Sequence, residues 1–196
     1  MRSPFQFIVR PRDTKRYDNI RKYGDIDFIV SASQEDHKFS NRYAEVVSTP
    51  AGYNGPIKAG DTLIVHHNVF KFYYDMYGRQ KSGKSFFHDD LFLLDEDQFF
   101  LYKSKDGGWN THSKYCFVKP AETKTKFISD GASEEHLFGI VRYSNDELRA
   151  LGVFEGDEVV YEPDVEYEFY VDGERLYRLF TANIAIKINE EERHGL

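Results

Sequence analysis

A single cysteine, Cys116, and a single tryptophan stand among 196 residues. One cysteine excludes an internal disulfide framework and fits a reducing compartment. No apolar run approaches the roughly 18 residues that a membrane-spanning helix needs. The N-terminal "MRSPFQFIVRP" also lacks the apolar stretch of a signal peptide. These absences imply a soluble, cytoplasmic protein with no membrane partner. Positive charge is in deficit, 26 Lys and Arg against 33 Asp and Glu, which argues against a general nucleic-acid-binding role. There is no C-x-x-C, no H-E-x-x-H and no serine nucleophile elbow. Cys116 lies within an apolar stretch, where thiols are inert. The expectation is a protein without catalytic residues, cofactor or resident metal.

What is abundant is Tyr and Phe, 14 and 17 residues, which favours strands. Short β-branched and aromatic stretches recur between Gly, Pro and Asp: 5–9, 27–30, 44–48, 61–67, 69–74, 91–94 and 99–102, then 115–118, 138–143, 157–162, 167–171, 175–180 and 184–188. The pattern predicts an all-β barrel or sandwich. One short helix is expected, capped by Ser144, with Glu147 three residues on and Gly152 at its end. "YVDGERLY" carries an Asp-Gly hairpin signal.

"GRQKSGKS" (78–85) matches the phosphate-cradling pattern G-x-x-x-x-G-K-[ST] in full. Such a match arises by chance in about 1 in 100 chains of this length. A phosphate loop needs a buried parallel strand before it and a helix beginning at its Lys-Ser. Here "FFHDDLFLL" follows, without helical period, and the next strand begins too soon for a crossover helix. The segment reads as a solvated hairpin tip between antiparallel strands. "HHN" (66–68) and "FFHDD" (86–90) offer His66, His67, His88, Asp89 and Asp90 on a pairing hairpin, with His112 also available. His66 and His67 are expected on opposite strand faces, which leaves polar strand faces as the reading over a metal site. "YEPDVEYEFYVDGERLY" (161–177) is acidic and aromatic, suiting a solvated hairpin, a carbohydrate or a cationic partner.

The two halves repeat each other. "FIVRP" (7–11) parallels "CFVKP" (116–120), and "AEVV" (44–47) parallels "FGIV" (138–141). "IKAGDTLIVHHNV" (57–69) parallels "FEGDEVVYEPDV" (154–165), with Gly60-Asp61 matching Gly156-Asp157. "LLDEDQFFLY" (93–102) parallels "LFTANIAIKI" (179–188). The order implies two copies of one β module, 5–105 and 112–190, linked through 103–114. The first is longer between "RP" and "AEVV" and at the hairpin holding "GRQKSGKS".

This series of motifs resembles the GroES-type co-chaperonin (10-kDa chaperonin) family: "V-K/R-P", a flexible loop, a "G-x-V-V" strand, a "K-x-G-D-x-V" turn and a terminal strand. The resemblance covers most of the chain, twice. It implies two small β-barrel modules in tandem, a homo-oligomeric ring, and docking onto a GroEL-type chaperonin ring through apolar residues in mobile loops. Those loops fall at 12–43, offering Phe28, Ile29 and Val30, and at 121–137, offering Phe127 and Ile128. From the residues alone, Phe28-Ile29-Val30 also reads as a core strand, and Phe127-Ile128 as packing over the barrel mouth. The chain departs from the family in lacking a Gly-Gly pair before the apolar residues and in holding two modules. The alternative is a structural or assembly protein, such as a phage particle component, that reuses the barrel.

Overall fold

The computed structural model describes residues 1–17, 20–23, 26–29, 40–123 and 133–188, with side chains described outside 18–39 and 122–137. The chain is mostly strand, with one short α-helix among the described residues and antiparallel pairing throughout. It divides into two compact units, Met1–Gly108 and Trp109–Leu196. No helix among the described residues is long and apolar enough to cross a membrane.

The first unit holds β1 (Phe7–Pro11), β2 (Ile20–Tyr23), β3 (Ile26–Ile29), β4 (Tyr43–Ser48), β5 (Thr62–Val65), β6 (Phe72–Tyr74), β7 (Gln80–Ser82), β8 (Phe86–His88), β9 (Leu91–Leu94) and β10 (Phe99–Lys103). The second holds β11 (Trp109–Thr111), β12 (Tyr115–Thr123), β13 (Ser133–Tyr143), α1 (Asp146–Ala150), β14 (Glu158–Tyr161), β15 (Tyr167–Val171), β16 (Glu174–Phe180) and β17 (Ile184–Ile188). In the first unit the strands hydrogen-bond in the order β10-β5-β4-β1-β9-β8, and in the second β17-β14-β13-β12-β16-β15. Strand for strand, the two orders are the same. The end strands of each order are not paired to each other among the described residues.

The register repeats as well. Val9 pairs with Val46 and Pro11 with Ala44; Val118 pairs with Val141 and Pro120 with Gly139. Each second strand carries one extra residue at the step into that pair, Val47 in β4 and Arg142 in β13. These pairs correct two alignments by one position. Val46, not Val47, is the counterpart of Val141, and Leu94, paired with Phe7, is the counterpart of Leu179, paired with Cys116. The physical reason is the twofold alternation of strand side chains. Ala44 and Val46 are buried, as are Gly139 and Val141, whereas Ile140 between the latter two faces out.

Gly60 and Gly156 occupy equivalent turns, with φ of 91° and 94°. Each glycine N–H donates to the carbonyl of the paired valine, Val46 at 2.7 Å and Val141 at 2.8 Å. Each following aspartate accepts a backbone N–H across the turn: Lys58 to Asp61 Oδ2 at 2.7 Å, and Phe154 to Asp157 Oδ2 at 2.8 Å. A φ near +90° is open to glycine and strained for other residues.

The cores differ in filling. In the first unit Phe7, Phe70, Phe92 and Phe99 are buried with Val9, Val46, Leu63 and Leu94, and Tyr53 packs on Phe7 edge-on at 4.9 Å. In the second, Cys116 stands where Phe7 does, and Leu148 of α1 joins its cluster. A smaller strand residue is thus matched by a helix over the same core. That helix is capped by Asn145, not Ser144: Asn145 Oδ1 accepts from Leu148 N at 2.8 Å, and its amide donates to Tyr115 O and Thr181 Oγ1. The Ser144 hydroxyl donates to Val153 O at 2.8 Å instead. Gly152, with φ of 81°, follows the helix as expected. At the Asp172-Gly173 turn both residues have positive φ, and Val171 pairs with Glu174, as the hairpin signal implied.

Several strands are shorter than their apolar stretches. β1 begins at Phe7, leaving Phe5 exposed, and Val69 and Phe70 lie buried in a turn before β6. β2, β7 and β11 carry no apolar alternation that marks them as strands in the sequence.

Candidate functional site

The interval between the first two sheet strands is built differently from an open loop in both units. In the first, the chains stay paired beyond Pro11 and Ala44. Asn41 Nδ2 donates to the carbonyls of Arg12 and Lys15, and Asn41 N donates to Arg16 O. Tyr17 and Ser40 form a bridge. Beyond it β2 and β3 form a two-stranded ladder, Ile20 opposite Ile29 and Arg21 opposite Phe28. In the second, β12 and β13 continue past a bulge to Glu122 opposite Glu134 and Thr123 opposite Ser133. Both intervals therefore begin as paired arms, which revises the expectation of loops spanning 12–43 and 121–137. Phe28 and Ile29 lie on β3, whose ladder is separate from that of the six core-sheet strands; their side chains are outside the described residues. Val30, Phe127 and Ile128 also lie outside the described residues.

Arg16 secures the base of the first arm. Its Nε donates to Phe70 O at 2.8 Å, Nη2 to Lys71 O at 3.0 Å and Nη1 to Ser82 Oγ at 3.2 Å. The guanidinium lies among the rings of Phe72, Phe86 and Phe92, 5.1–5.9 Å from their centroids. Burial lowers its pKa, opposed in small part by Tyr17. Nothing in "RPRDTKRY" marks this base above its neighbours, because its partners are two carbonyls and a hydroxyl far along the chain.

Those partners belong to the connection 66–85, between β5 and β8, which contains the antiparallel hairpin of β6 and β7. At its turn Asp75 accepts from the N–H groups of Tyr77 and Arg79 and from Arg79 Nε. The Arg79 N–H bond is the leading reason that the Asp75 carboxyl sits below its ordinary pKa; burial opposes it and the Tyr77 N–H and Arg79 side chain add to it. Tyr73, Tyr74, Met76 and Tyr77 are exposed around this turn, and Phe87 is exposed on β8. The phosphate-loop match falls on the return strand β7, with the tip at Met76-Tyr77. After Lys84-Ser85 the chain enters strand β8, antiparallel to β9, so a strand and not a helix begins there.

The histidines are not brought together as a hairpin. β5 ends at Val65, and the His66 and His67 rings lie 4.1 Å apart in the turn that follows, not on alternate faces of a strand. β5 and β8 are separated in the sheet by β4, β1 and β9. His88 Nδ1 lies 3.0 Å from Asp89 Oδ2. No group of three metal-ligating side chains occurs among the described residues. Cys116 is buried, and burial pushes its thiol up to about 12, Arg178 opposing only in part.

The corresponding connection of the second unit is 162–166, "EPDVE", leading into β15. From 162 to 174 the chain carries Glu162, Asp164, Glu166, Glu168, Asp172 and Glu174 and no lysine or arginine. Glu174 receives Arg142 Nε at 2.8 Å and Lys119 Nζ at 3.5 Å. The Arg142 hydrogen bond holds its carboxyl below the ordinary value, burial opposing. For Asp157, burial works against the charged form, but the hydrogen bonds from Lys187 and Phe154 N outweigh it and lower the pKa. No family model matches the sequence, and no curated protein matches it at a significant level.

Proposed function

We propose that the chain is a co-chaperonin-like protein: two GroES-like β-barrel modules in tandem that cap a chaperonin ring through their arms and assist protein folding without catalysis of their own. What supports this reading is the twofold recurrence of an arm at one point of the topology. Between the first and second core strands of each unit, pairing continues beyond a Val-basic-Pro step, through the β2–β3 ladder in the first unit and through β12 and β13 themselves in the second. A short apolar segment on such an arm docks cheaply into a groove, and several copies acting together supply avidity.

The test is sedimentation of the protein with a GroEL-type ring and ATP. Burying one large apolar side chain is worth roughly 1.5–3 kcal/mol, so Ile29→Asp and Ile128→Asp should each abolish co-sedimentation while leaving the circular dichroism spectrum unchanged. Retained binding in both variants places the contact elsewhere. Absence of wild-type binding removes the co-chaperonin reading in favour of an assembly protein built on the same modules.

A further inference from the structure

The charge of the molecule is divided unequally between its units. Residues 1–108 carry 16 Lys and Arg against 15 Asp and Glu, whereas residues 109–196 carry 10 against 18. The difference is sharpest at one pair of equivalent positions, the connections following β5 and β14. The first, 66–85, holds Lys71, Arg79, Lys81 and Lys84 against Asp75 alone. Arg79 is engaged by Asp75. Lys71, Lys81 and Lys84 have no acidic partner among the described residues. The second, 162–166, holds Glu162, Asp164 and Glu166 and no base. These three have no cationic partner among the described residues, Glu162 being met by the neutral amide of Asn183.

Both segments also present apolar surface. Met76 and Tyr77, 89% and 75% exposed, form the tip of the cationic hairpin, and Tyr73 stands on it opposite Lys81. On the acidic side β15 is the last strand of its sheet order, with Glu168 and the 58%-exposed Tyr170 on its outward face. Tyr73, Tyr77, Lys81 and Lys84 remain exposed in the single chain, as do Glu162 and Asp164. A large exposed aromatic patch ringed by charge of one sign marks a docking surface. Its complement in sign and in aromatic character is displayed by the same molecule.

We propose that the β6–β7 hairpin of one copy docks on the acidic segment 162–170 of a second copy. Lys81 and Lys84 then face Asp164 and Glu166, and the tyrosines of the hairpin tip pack beside Tyr170. The contact joins different surfaces of identical chains, so it either closes on itself through a reciprocal pair or propagates from copy to copy. It does not depend on the co-chaperonin reading.

Sedimentation velocity over a concentration series tests it, in low salt and at about 0.5 M salt, where exposed charge pairs are largely screened. The wild type should self-associate in low salt and dissociate in high salt. Lys81→Glu with Lys84→Glu, and separately Asp164→Lys with Glu166→Lys, should each weaken association by roughly tenfold or more, with unchanged thermal unfolding. An equimolar mixture of the two double variants should associate where neither does alone, because one acidic hairpin then meets one basic segment. A wild type that stays monomeric in low salt overturns the proposal. So does association that both reversals leave intact, or a mixture no larger than its components. A monomeric wild type whose hairpin retains a single-stranded oligonucleotide, lost in the double lysine variant, would assign the hairpin to a phosphate backbone instead.

Discussion

The two units share a strand order, a register and a turn, yet they cover the mouth of the core differently. Where the first strand supplies Phe7, a loop bearing Tyr53 is enough to cover it. Where it supplies Cys116, the same connection winds into α1 and lowers Leu148 into the cluster. Close packing is met across the layer and not at single positions. The connection after the third core strand diverges further: a cationic aromatic hairpin in one unit, a short acidic turn in the other. Pairing and burial constrain the shared part. Solvated connections carry no such constraint and are where new surfaces arise.

The strongest way to break the comparison is to remove its unequal members. Phe7→Ala should cost about 3–5 kcal/mol and Cys116→Ala about 1 kcal/mol, since the cavity left by a ring far exceeds that left by a sulfur. Denaturant unfolding with hydrogen exchange read unit by unit would show it. Equal losses would mean that the two positions are not carrying the difference in volume.

Asn145→Ala has no counterpart in the first unit. It removes the cap of α1 and the amide's bonds to Tyr115 O and Thr181 Oγ1, so a loss of about 2–3 kcal/mol confined to the second unit is expected. Asn145→Asp should retain the cap and recover part of it, measured by the same unfolding experiment.

Gly60→Ala and Gly156→Ala sharpen the likeness. An added Cβ meets nothing within 4 Å at either site, so only backbone strain at positive φ remains, about 1–2 kcal/mol and equal in both units. Unequal thermal shifts would show that the turns are under different load.

Acid separates the units more gently. Glu174, with its pKa lowered first by Arg142, contributes stability that is complete above the unfolded carboxylate pKa of about 4.3 and is lost as pH falls through the lower folded value. Glu174→Gln should therefore be less stable than the wild type at pH 7 and converge with it only as pH falls through that lowered value. A constant difference across that range would remove the ion pair as its cause. The smallest effect is reserved for Lys84→Ala, an exposed change expected to shift stability by less than about 0.5 kcal/mol and, by calorimetry, to leave the response to ATP as it is in the wild type.

Strand identity, the Gly-Asp turns, the Asp-Gly hairpin and the tandem order were legible because each rests on local chemistry: alternation, positive φ, or a side chain closing its own turn. Alignment of the halves slipped by one at Val46 and at Leu94, since a short apolar run offers neighbouring residues of equal hydrophobicity and only a partner strand chooses between them. Ser144, three residues before Glu147, and Asn145 both suit the cap, and the structure places it at Asn145. Burial of Ser144 toward Val153 O decided it. The arms are not legible as strands because "IRKY" and "AET" lack apolar alternation and gain strand character only from their partners.

By itself the sequence determined an antiparallel all-β chain of two repeats, through spacing that each strand carries within its own few residues. Only the tertiary structure decided which face of each strand is inside, that Arg16 bonds carbonyls more than fifty positions away, and that a cationic and an acidic connection occupy equivalent places in the two units. Those outcomes depend on partners distant along the chain, whose cost in closure entropy is met by the fold as a whole and leaves no mark on local composition.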